Sequence, residues 1–483
     1  MLGVYDGKTI RMQEVHRFTN DPVLAGGTFY WDILRLFHEI KQGLLKAASL
    51  GGFETIGIDT WGVDFGLLDG AGRLLGNPVH YRDQRTEGIP QEVESLLSRK
   101  ELYRITGIQH MRINTVYQLA YLSRHEKETL ARAKTLLLIP DLLSYYLTGE
   151  KRGEVTNAST TSVFDPRGLE WSSEVCARLG IPAALLPKTI ATGEIYGGLS
   201  PALCEELGCP NAKVVAVPTH DTASAVASVP TQEPNFAYIS SGTWSLLGTE
   251  LDAPVLTERA QAENFTNEIG FAGKTRFLKN IMGLWLIQES RRQWIREGNE
   301  ASFAELEREA LAAEPFRCFI DPDAPAFETP GNLPDRVRRF CAETGQSVPE
   351  TRGEVVRCIY ESLALKYRYS LGRLSELCEK RFTQLNIVGG GIKDTLLCTM
   401  AANACGIRVS AGPAEATAFG NIASQLYALG ELKSLSEMRE VISRSTQLAV
   451  YEPDDTESWQ KAAQRFQEML ELSRNTNIQC GSV

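Results

Sequence analysis

Several features that define large classes of protein are missing from this sequence of 483 residues. It contains no dense run of lysine and arginine, and 60 acidic residues against 50 basic ones give a net charge of −10. A concentrated basic face for nucleic acid is therefore not predicted. No uncharged apolar run approaches the roughly 20 residues of a membrane-spanning helix, and the first residues lack the charged and apolar regions of a secretory signal. We therefore expect no nucleic-acid partner and no membrane.

Paired cysteines and several familiar catalytic motifs are missing as well. None of the ten cysteines forms a C-x-x-C pair or stands at a zinc-type Cys/His spacing. We interpret them as small apolar residues of a reduced, cytoplasmic protein, and we predict no metal-ligating side chain. The tripeptide at 273–275, GKT, resembles the end of a P-loop, but Glu268 stands where that motif needs a glycine. No G-x-S-x-G or H-E-x-x-H motif supports a hydrolase.

What is present predicts an α/β fold, because strand-like and helix-like segments alternate along the chain. Strands are predicted at residues 55–58, 63–68, 213–217, 236–240 and 385–388, and helices at 102–124, 222–228, 278–296, 395–405 and after Glu452. Asp394 is predicted to cap the helix at 395–405, and Gly406 to end it. A polar segment containing Pro230 and Pro234 is typical of a linker, so we predict two domains, residues 1–232 and 233–483.

Asp221 follows a predicted strand and stands at the start of a predicted helix. Ligands of α/β sheets bind at the carboxyl ends of strands, and a carboxylate there suits a general base that takes a hydroxyl proton during phosphoryl transfer. The same position is equally typical of a helix N-cap. Pattern alone leaves both interpretations open.

Two polar segments of the first half have a similar pair of interpretations. The turn DTWGVD at 59–64 offers carboxylates, a hydroxyl and an indole to a sugar, and Gly62 would let a ligand approach the backbone. A tight hairpin with a buried tryptophan explains it equally well. The cluster YRDQR at 81–85 could clamp sugar hydroxyls or form a solvated ion-pair face.

In the second half, SSGTWS at 240–245 follows a strand, and its backbone N–H groups and hydroxyls could hold a phosphate. The glycine triplet at 389–391 could admit a nucleotide against bare backbone. A plain structural turn is about as good an explanation of each segment taken alone.

Taken together, these segments resemble the FGGY carbohydrate kinases, and among them the kinases of L-rhamnulose, over nearly the whole chain. The matching stretches are IGIDTWGVDF (56–65), YRDQRT (81–86), TNASTT (156–161), THDTASAV (219–226), SSGTWSL (240–246), LKNIMGLWL (278–286), IVGGG (387–391) and ACGIRVSAGPAEA (404–416). The combination is far more specific than any one glycine motif.

The resemblance implies two actin-like (ribonuclease H-like) domains with the active site in a cleft between them, an N-terminal sugar-binding domain and a C-terminal nucleotide-binding domain. Asp221 is similar in position to the catalytic base of that family. The implied sugar contacts are Gly62, His220, Asp221, Thr222 and Asn280, and the implied nucleotide contacts are Thr243, Gln288 and Gly390. The implied reaction transfers phosphate from ATP, with Mg²⁺, to O1 of L-rhamnulose, by a monomer or weak homodimer.

The resemblance also implies a departure at the start of the chain. The family begins with a central strand and a phosphate-facing loop, whereas Met1–Gly7 is similar to the strand and hairpin turn that come next, and residues 14–19 to the strand after that. Roughly 15–20 residues are thus expected upstream, and we expect the chain as written to fold poorly and to be weakly active, because strands beside the missing one would lose their partner.

Two other functions are compatible with the sequence. A sister kinase acting on another ketose or a polyol would have the same motifs, since pocket shape decides the sugar. A non-catalytic protein that binds sugar or nucleotide would fit a chain without the phosphate loop. Assays with a panel of substrates would identify a sister kinase. Sugar binding without ADP release would favour a non-catalytic binding protein.

Overall fold

A computed structural model describes residues 1–209 and 211–476, which form two compact units. Unit 1 comprises Met1–Gln232, Glu250–Phe277 and Ala416–Thr446, and unit 2 comprises Glu233–Thr249, Leu278–Glu415 and residues 447–476. Two later segments of the chain thus group with the first 232 residues. The assignment of residues 1–232 and 233–483 to a sugar-binding and a nucleotide-binding domain stays a prediction.

The secondary structure is mixed throughout the described residues. The strands are β1 (Leu2–Tyr5), β2 (Ile10–Gln13), β3 (Val23–Ala25), β4 (Thr28–Tyr30), β5 (Thr55–Gly57), β6 (Phe65–Leu68), β7 (Thr135–Leu138), β8 (Arg152–Glu154), β9 (Phe164–Asp165), β10 (Glu170–Trp171), β11 (Lys188–Ile190), β12 (Ile195–Gly198), β13 (Lys213–Val215), β14 (Ala237–Ser241), β15 (Trp244–Leu251), β16 (Thr266–Ile269), β17 (Thr275–Met282), β18 (Gln384–Val388), β19 (Arg408–Ala411) and β20 (Ala449–Tyr451).

The helices are α1 (Ile33–Ser49), α2 (Ile89–Glu94), α3 (Arg99–Thr106), α4 (Thr115–His125), α5 (Lys127–Arg132), α6 (Ile139–Thr148), α7 (Val155–Ala158), α8 (Ser173–Leu179), α9 (Pro201–Leu207), α10 (Asp221–Ala227), α11 (Glu258–Ala262), α12 (Trp285–Arg296), α13 (Phe303–Ala312), α14 (Leu333–Glu343), α15 (Arg352–Cys378), α16 (Thr395–Cys405), α17 (Ala416–Ala428), α18 (Leu435–Ser445) and α19 (Thr456–Thr476). Short 3₁₀ turns occur at Gln84–Thr86, Ser159–Thr161, Ala183–Leu185, Phe271–Gly273, Pro325–Phe327 and Gly390–Lys393. None of the helices in the described ranges is long and apolar enough to cross a membrane.

Unit 2 contains a sheet in which β17, β15, β14, β18, β19 and β20 lie in that order. β14 runs antiparallel to β15 but parallel to β18, and β18 runs parallel to β19. The first strand of the unit is therefore central, with an antiparallel neighbour on one side and parallel ones on the other. This is the ribonuclease H-like arrangement that the sequence predicted.

Unit 1 has shorter sheets. β13 lies between β5, to which it is parallel, and the antiparallel β12, while β6 pairs with β7. Helices α10 and α17 cross closely: a Cβ on Gly420 would lie 1.8 Å from the Ser224 carbonyl oxygen, so a residue without a side chain is required there. The core beneath α10 and α17 includes Ala227, Phe419 and Ala423.

Most predicted elements are confirmed. The predicted strands correspond to β5, β6, β13, β14 and β18, and the helix at 395–405 is α16, whose N-terminus is capped by Asp394 through a 2.9 Å hydrogen bond from the Leu397 N–H. Gly406 ends that helix with φ +65°. The helix predicted at 102–124 is two helices, because Gly107 ends α3 with φ +67°.

The helix predicted at 278–296 is wrong in its first part. Residues 278–282 belong to β17, and α12 begins at Trp285. Gly283 separates the two elements and donates a 3.1 Å hydrogen bond to the Thr243 carbonyl. Its missing Cβ would lie 2.7 Å from the carbonyl carbon of Trp244, so the chain passes too close to β15 for a helix to continue.

At the start of the chain, the predicted strand and hairpin turn are confirmed, because β1 pairs with β2 and Asp6 accepts hydrogen bonds from the N–H groups of Lys8 and Thr9. The strand predicted at 14–19 is wrong. His16 in that segment binds Glu39 of α1 at 2.7 Å instead, so side-chain contacts with a helix replace strand pairing.

Candidate active site

Two polar turns of unit 1 are joined by backbone hydrogen bonds just beyond the ends of the parallel strands β5 and β13. Thr60 donates to the Thr219 carbonyl at 2.9 Å, and Asp221 donates to the Thr60 carbonyl at 2.9 Å. Thr60 and His220 form an isolated parallel bridge. The carboxyl ends of these strands therefore hold Asp59 and Asp221 in adjacent turns, which is where α/β sheets bind ligands.

Asp221 is the first residue of α10, and its side chain is 48% exposed. The N-cap position belongs to His220, so the interpretation of Asp221 as an N-cap is wrong. Its Oδ1 accepts hydrogen bonds from the N–H and the hydroxyl of Thr222, at 2.6 and 3.1 Å. A half-exposed carboxylate that is held in place by its neighbour is available to accept a proton from a bound hydroxyl.

His220 lies between carboxylates and a buried cation. Its Nδ1 is 3.0 Å from Nη2 of Arg276 and 3.3 Å from Oε2 of Glu268, and its Nε2 is 3.6 Å from Oδ1 of Asp221. Arg276 is fully buried, binds Glu268 at 2.9 Å, and has no hydrogen-bond partner at Nη1. Burial alone would raise the pKa of Glu268, but the charge of Arg276, together with His220, holds it below its usual value.

Asp59 is a second carboxyl group of this region, and it faces Asn421 of α17. The Asn421 side-chain amide donates to both Asp59 Oδ2 and the Gly57 carbonyl. Burial raises the pKa of Asp59 to about 7 against the effect of that hydrogen bond, and the charge of Asp221 adds to the rise. Two carboxyl groups with different environments therefore occupy neighbouring turns.

A buried carboxyl group supports the turn that carries His220. Glu154 accepts hydrogen bonds from the N–H and the hydroxyl of Thr219, at 3.1 and 2.7 Å, and from Thr156. The Thr156 hydroxyl in turn accepts from the His220 N–H at 3.3 Å. Glu154 and Thr156 thus hold the histidine turn through hydrogen bonds to the backbone of Thr219 and His220.

Gly62 lies in the other turn, where a Cβ would be 3.0 Å from the Thr160 hydroxyl. Trp61 and Asp64 of that turn have structural partners: Asp64 Oδ2 accepts from the indole N–H groups of Trp31 and Trp61 at 2.6 and 3.1 Å. β5 and β6 belong to different sheets, so the hairpin interpretation of this turn is wrong.

The cluster at 81–85 is also built into unit 1. Asp83 is buried, accepts from the Phe29 N–H at 2.9 Å, and caps the short turn Gln84–Thr86. Arg85 donates to Gln118 at 2.7 Å. A solvated ion-pair face is therefore the wrong description of both side chains.

The predicted nucleotide residues come together in unit 2, at the carboxyl ends of β14 and β18. Gly389, with φ +89°, and Gly391 pack against Ser241, because a Cβ on either would lie 2.9 Å or less from it. Gly390 between them has open space on the side where a Cβ would stand. A flat group could therefore approach the backbone at Gly390, and its role in nucleotide binding stays a prediction.

Thr243 and Gln288 stand at the same edge. The Thr243 hydroxyl is 3.5 Å from the Gln288 amide oxygen, and the Thr243 carbonyl accepts a 3.2 Å hydrogen bond from the N–H of Trp285 at the start of α12. Asn280 belongs to β17 in unit 2, whereas Gly62, His220, Asp221 and Thr222 belong to unit 1. The predicted sugar residues are thus divided between the units.

Comparison with known proteins identifies the family. Residues 23–228 match the N-terminal domain of the FGGY family of carbohydrate kinases, and residues 237–429 match its C-terminal domain. The chain is 43% identical to a rhamnulokinase of Bacteroides thetaiotaomicron over 475 residues, with 96% of this chain and 97% of that protein covered. The chain belongs to the FGGY family of carbohydrate kinases.

Other members of the family extend this likeness. A rhamnulokinase of Enterococcus faecalis is 43% identical over 467 residues, covering 96% of this chain and 93% of that protein. The fold of this FGGY kinase is shared with a ligand-bound xylulose kinase of Lactobacillus acidophilus (TM-score 0.80, 16% identity, 94% and 92% of the two chains). It is also shared with a glycerol kinase of Plasmodium falciparum with ADP (TM-score 0.76, 16% identity, 96% and 93%).

Sequence reasoning missed several side chains of this FGGY kinase that surround Asp221 and His220. Arg276, Glu268 and Glu154 were not identified as part of the site, and Asn421 comes from a segment near the other end of the chain. Two charged residues among the buried apolar residues of one strand, Arg276 and Lys279 in TRFLKNIM, are a signal that could have drawn attention, because burial of an unpaired charge is costly.

Proposed function

We propose that this kinase phosphorylates the O1 hydroxyl of L-rhamnulose with ATP, forming L-rhamnulose 1-phosphate and ADP. The observation that carries the proposal is the pairing of the two polar turns of unit 1, which holds the half-exposed carboxylate of Asp221 beside His220. The choice of sugar is supported by the relatives named rhamnulokinase, which are 43% identical over 96% of the chain.

In this proposal Asp221 is the catalytic base. Its carboxylate accepts the proton of the O1 hydroxyl while the oxygen attacks the γ-phosphorus of ATP; the new O–P bond forms as the bond to the bridging oxygen of ADP breaks. Gly62, His220, Thr222 and Asn280 contact the sugar. The bonds from Thr222 to Asp221 keep the carboxylate in one orientation, which lowers the entropic part of the barrier.

Thr243, Gln288 and Gly390 would hold the nucleotide. The fit rests on the open space beside Gly390 and on the hydroxyl and amide groups of Thr243 and Gln288, which are suited to the polar edges of a nucleotide. Mg²⁺ would accompany ATP, because it is usually bound through phosphates and waters with few protein ligands and neutralises charge during transfer.

The first experiment is an assay of ADP release with MgATP and a panel of L-rhamnulose, D-xylulose, L-fuculose and glycerol. We expect kcat/KM to be highest for L-rhamnulose. A higher value for another sugar would make this a sister kinase, and sugar binding in a calorimeter without ADP release with any of them would make it a binding protein.

The assignment of the base is tested by Asp221→Asn. Loss of a general base lowers kcat by about 10²–10⁴-fold, so we expect a fall in that range with L-rhamnulose binding retained. Asp252→Asn is the matched control, because that side chain is 89% exposed and pairs with Lys274 at the surface. Near-wild-type turnover by Asp221→Asn would show that Asp221 is not the base.

We further propose that the enzyme acts in the cytoplasm as a monomer or weak homodimer. The support for the location is the sequence, whose ten cysteines show no paired pattern. Sedimentation velocity over a range of protein concentrations tests the assembly: a stable species larger than a dimer at low concentration would contradict it.

A further inference from the structure

Three cysteines that are far apart in sequence meet inside unit 2. Cys318 lies in the segment between α13 and α14, Cys341 on α14, and Cys358 on α15. They are 4%, 0% and 2% exposed, and their sulfur atoms all lie within 4.8 Å of one another. The kinase reaction proposed above uses none of them.

We propose that Cys318, Cys341 and Cys358 form a binding site for one thiophilic divalent cation, with Zn²⁺ as the physiological candidate. The inference is independent of which sugar the enzyme phosphorylates. It concerns a part of unit 2 that carries none of the residues assigned to sugar or nucleotide.

The separation of the sulfur atoms suits such a cation. Zinc binds thiolates at about 2.3 Å, so three sulfurs around one tetrahedral zinc lie about 3.8 Å apart. Three thiols that already lie within 4.8 Å of one another need to move little to reach that arrangement. Soft sulfur ligands select zinc and other thiophilic ions over magnesium and calcium, which prefer oxygen.

A small pocket beside two of the three cysteines gives the cluster access to solvent. Cys318 and Cys358 also line a small pocket whose other charged residues are Glu314, Arg317, Glu354, Arg357 and Glu361. Two arginines and three glutamates line this pocket, and burial raises the pKa of Glu361 to about 7, so the lining is close to neutral before any thiol ionises. The pocket opens beside Cys318 and Cys358 and has a volume of about 10 Å³, which is enough for a single water next to the cluster.

Glu354 and Glu361 of α15 form bonds that fix the segment next to Cys318 in position. Both carboxylate oxygens of Glu361 have partners, since Oε1 accepts from Arg357 and Oε2 from the Phe316 N–H, at 2.7 and 2.8 Å. Arg317 pairs with Glu354 at 2.7 Å. These bonds fix the start of the Cys318 segment against α15, so the three thiols are held together by the fold before a cation arrives.

The test uses the reduced, metal-free full-length chain titrated with Cd²⁺, and with Co²⁺ as a second probe. We expect a thiolate-to-metal charge-transfer band that saturates at about one equivalent. The band should be lost in Cys318→Ser, Cys341→Ser and Cys358→Ser and kept in Cys398→Ser, a matched control because Cys398 is a buried free thiol on α16. Absence of the band, or its persistence in all three variants, would overturn the proposal.

A second measurement does not depend on variants that fold. The wild-type chain is alkylated with and without Zn²⁺ after partial denaturation, and the modified cysteines are located by mass spectrometry. We expect Zn²⁺ to slow alkylation at the three clustered thiols and to leave the rate at Cys176 unchanged. Equal rates with and without Zn²⁺, or a disulfide between two of the three in protein kept under cellular reducing conditions, would contradict a metal site.

Discussion

At the scale of single residues, the position of His220 depends on a buried ion pair. Arg276 bonds to His220 and to Glu268 and donates to the Ile269 carbonyl at 3.1 Å. The planar guanidinium makes these bonds together, which lysine cannot do. Arg276→Lys is therefore expected to raise KM for L-rhamnulose about tenfold while leaving KM for ATP unchanged, measured by steady-state kinetics. Equal changes in both KM values would mean a general loss of structure instead.

Asp59 is expected to make stability depend on pH. Its pKa is about 7 in the folded chain against an ordinary 3.8, so the folded state binds more protons than the unfolded state between these values. Stability from this group is therefore present at low pH and is lost as the pH rises through about 7. In Asp59→Asn this loss disappears, so the fall in Tm between pH 5 and pH 8 should become smaller.

The control for this measurement is Asp252→Asn, which removes a carboxylate from the surface and should leave the difference in Tm between the two pH values as in the wild type. Asp64 has a pKa raised by burial to about 6 and remains in both variants, so some pH dependence persists. An unchanged difference in Asp59→Asn would show that Asp59 is ionised in the folded protein across this range.

At the scale of elements, the crossing of α10 and α17 determines where Asp221 stands. A Cβ on Gly420 would overlap the Ser224 carbonyl, at 1.8 Å, and the two helix backbones leave no side chain that could move aside. Gly420→Ala is expected to lower the free energy of unfolding by about 1–3 kcal/mol, measured by denaturant unfolding. Because α10 begins at Asp221, kcat should fall as well.

The matched control is Gly372→Ala on α15. This glycine is exposed in a helix interior, and its missing Cβ has no atom within 4 Å. Alanine there should raise the free energy of unfolding by about 0.5–1 kcal/mol, because glycine is the poorer helix former. If both glycine variants changed stability in the same direction, close packing of α10 on α17 would not be the cause.

At the scale of the whole molecule, the two ligands are expected to protect different segments from hydrogen exchange. L-Rhamnulose should slow exchange at residues 56–65 and 215–228 of unit 1, and ADP at 240–246 and 387–391 of unit 2, because a ligand stabilises the local structure that it contacts. Mass spectrometry of peptides after exchange measures this. Protection by ADP in the segments of unit 1 alone would contradict the assignment of Thr243, Gln288 and Gly390 to the nucleotide.

The sequence by itself determined the α/β class, most strands, and the helix between Asp394 and Gly406, because these depend on local periodicity and on caps within a few residues. Its motifs also pointed to the two turns that hold Asp59 and Asp221. It failed at 278–296, which was predicted as one helix although the close approach of Gly283 to β15 ends a strand there.

Only the tertiary structure decided which distant residues meet. Asn421 reaches Asp59, Arg276 and Glu268 reach His220, and three cysteines without any motif spacing come within 4.8 Å of one another. Such contacts depend on how strands pair and helices cross, and these are long-range choices that local pattern does not encode. Burial then shifted the pKa of Asp59, since the local dielectric around a carboxyl group is a property of packing.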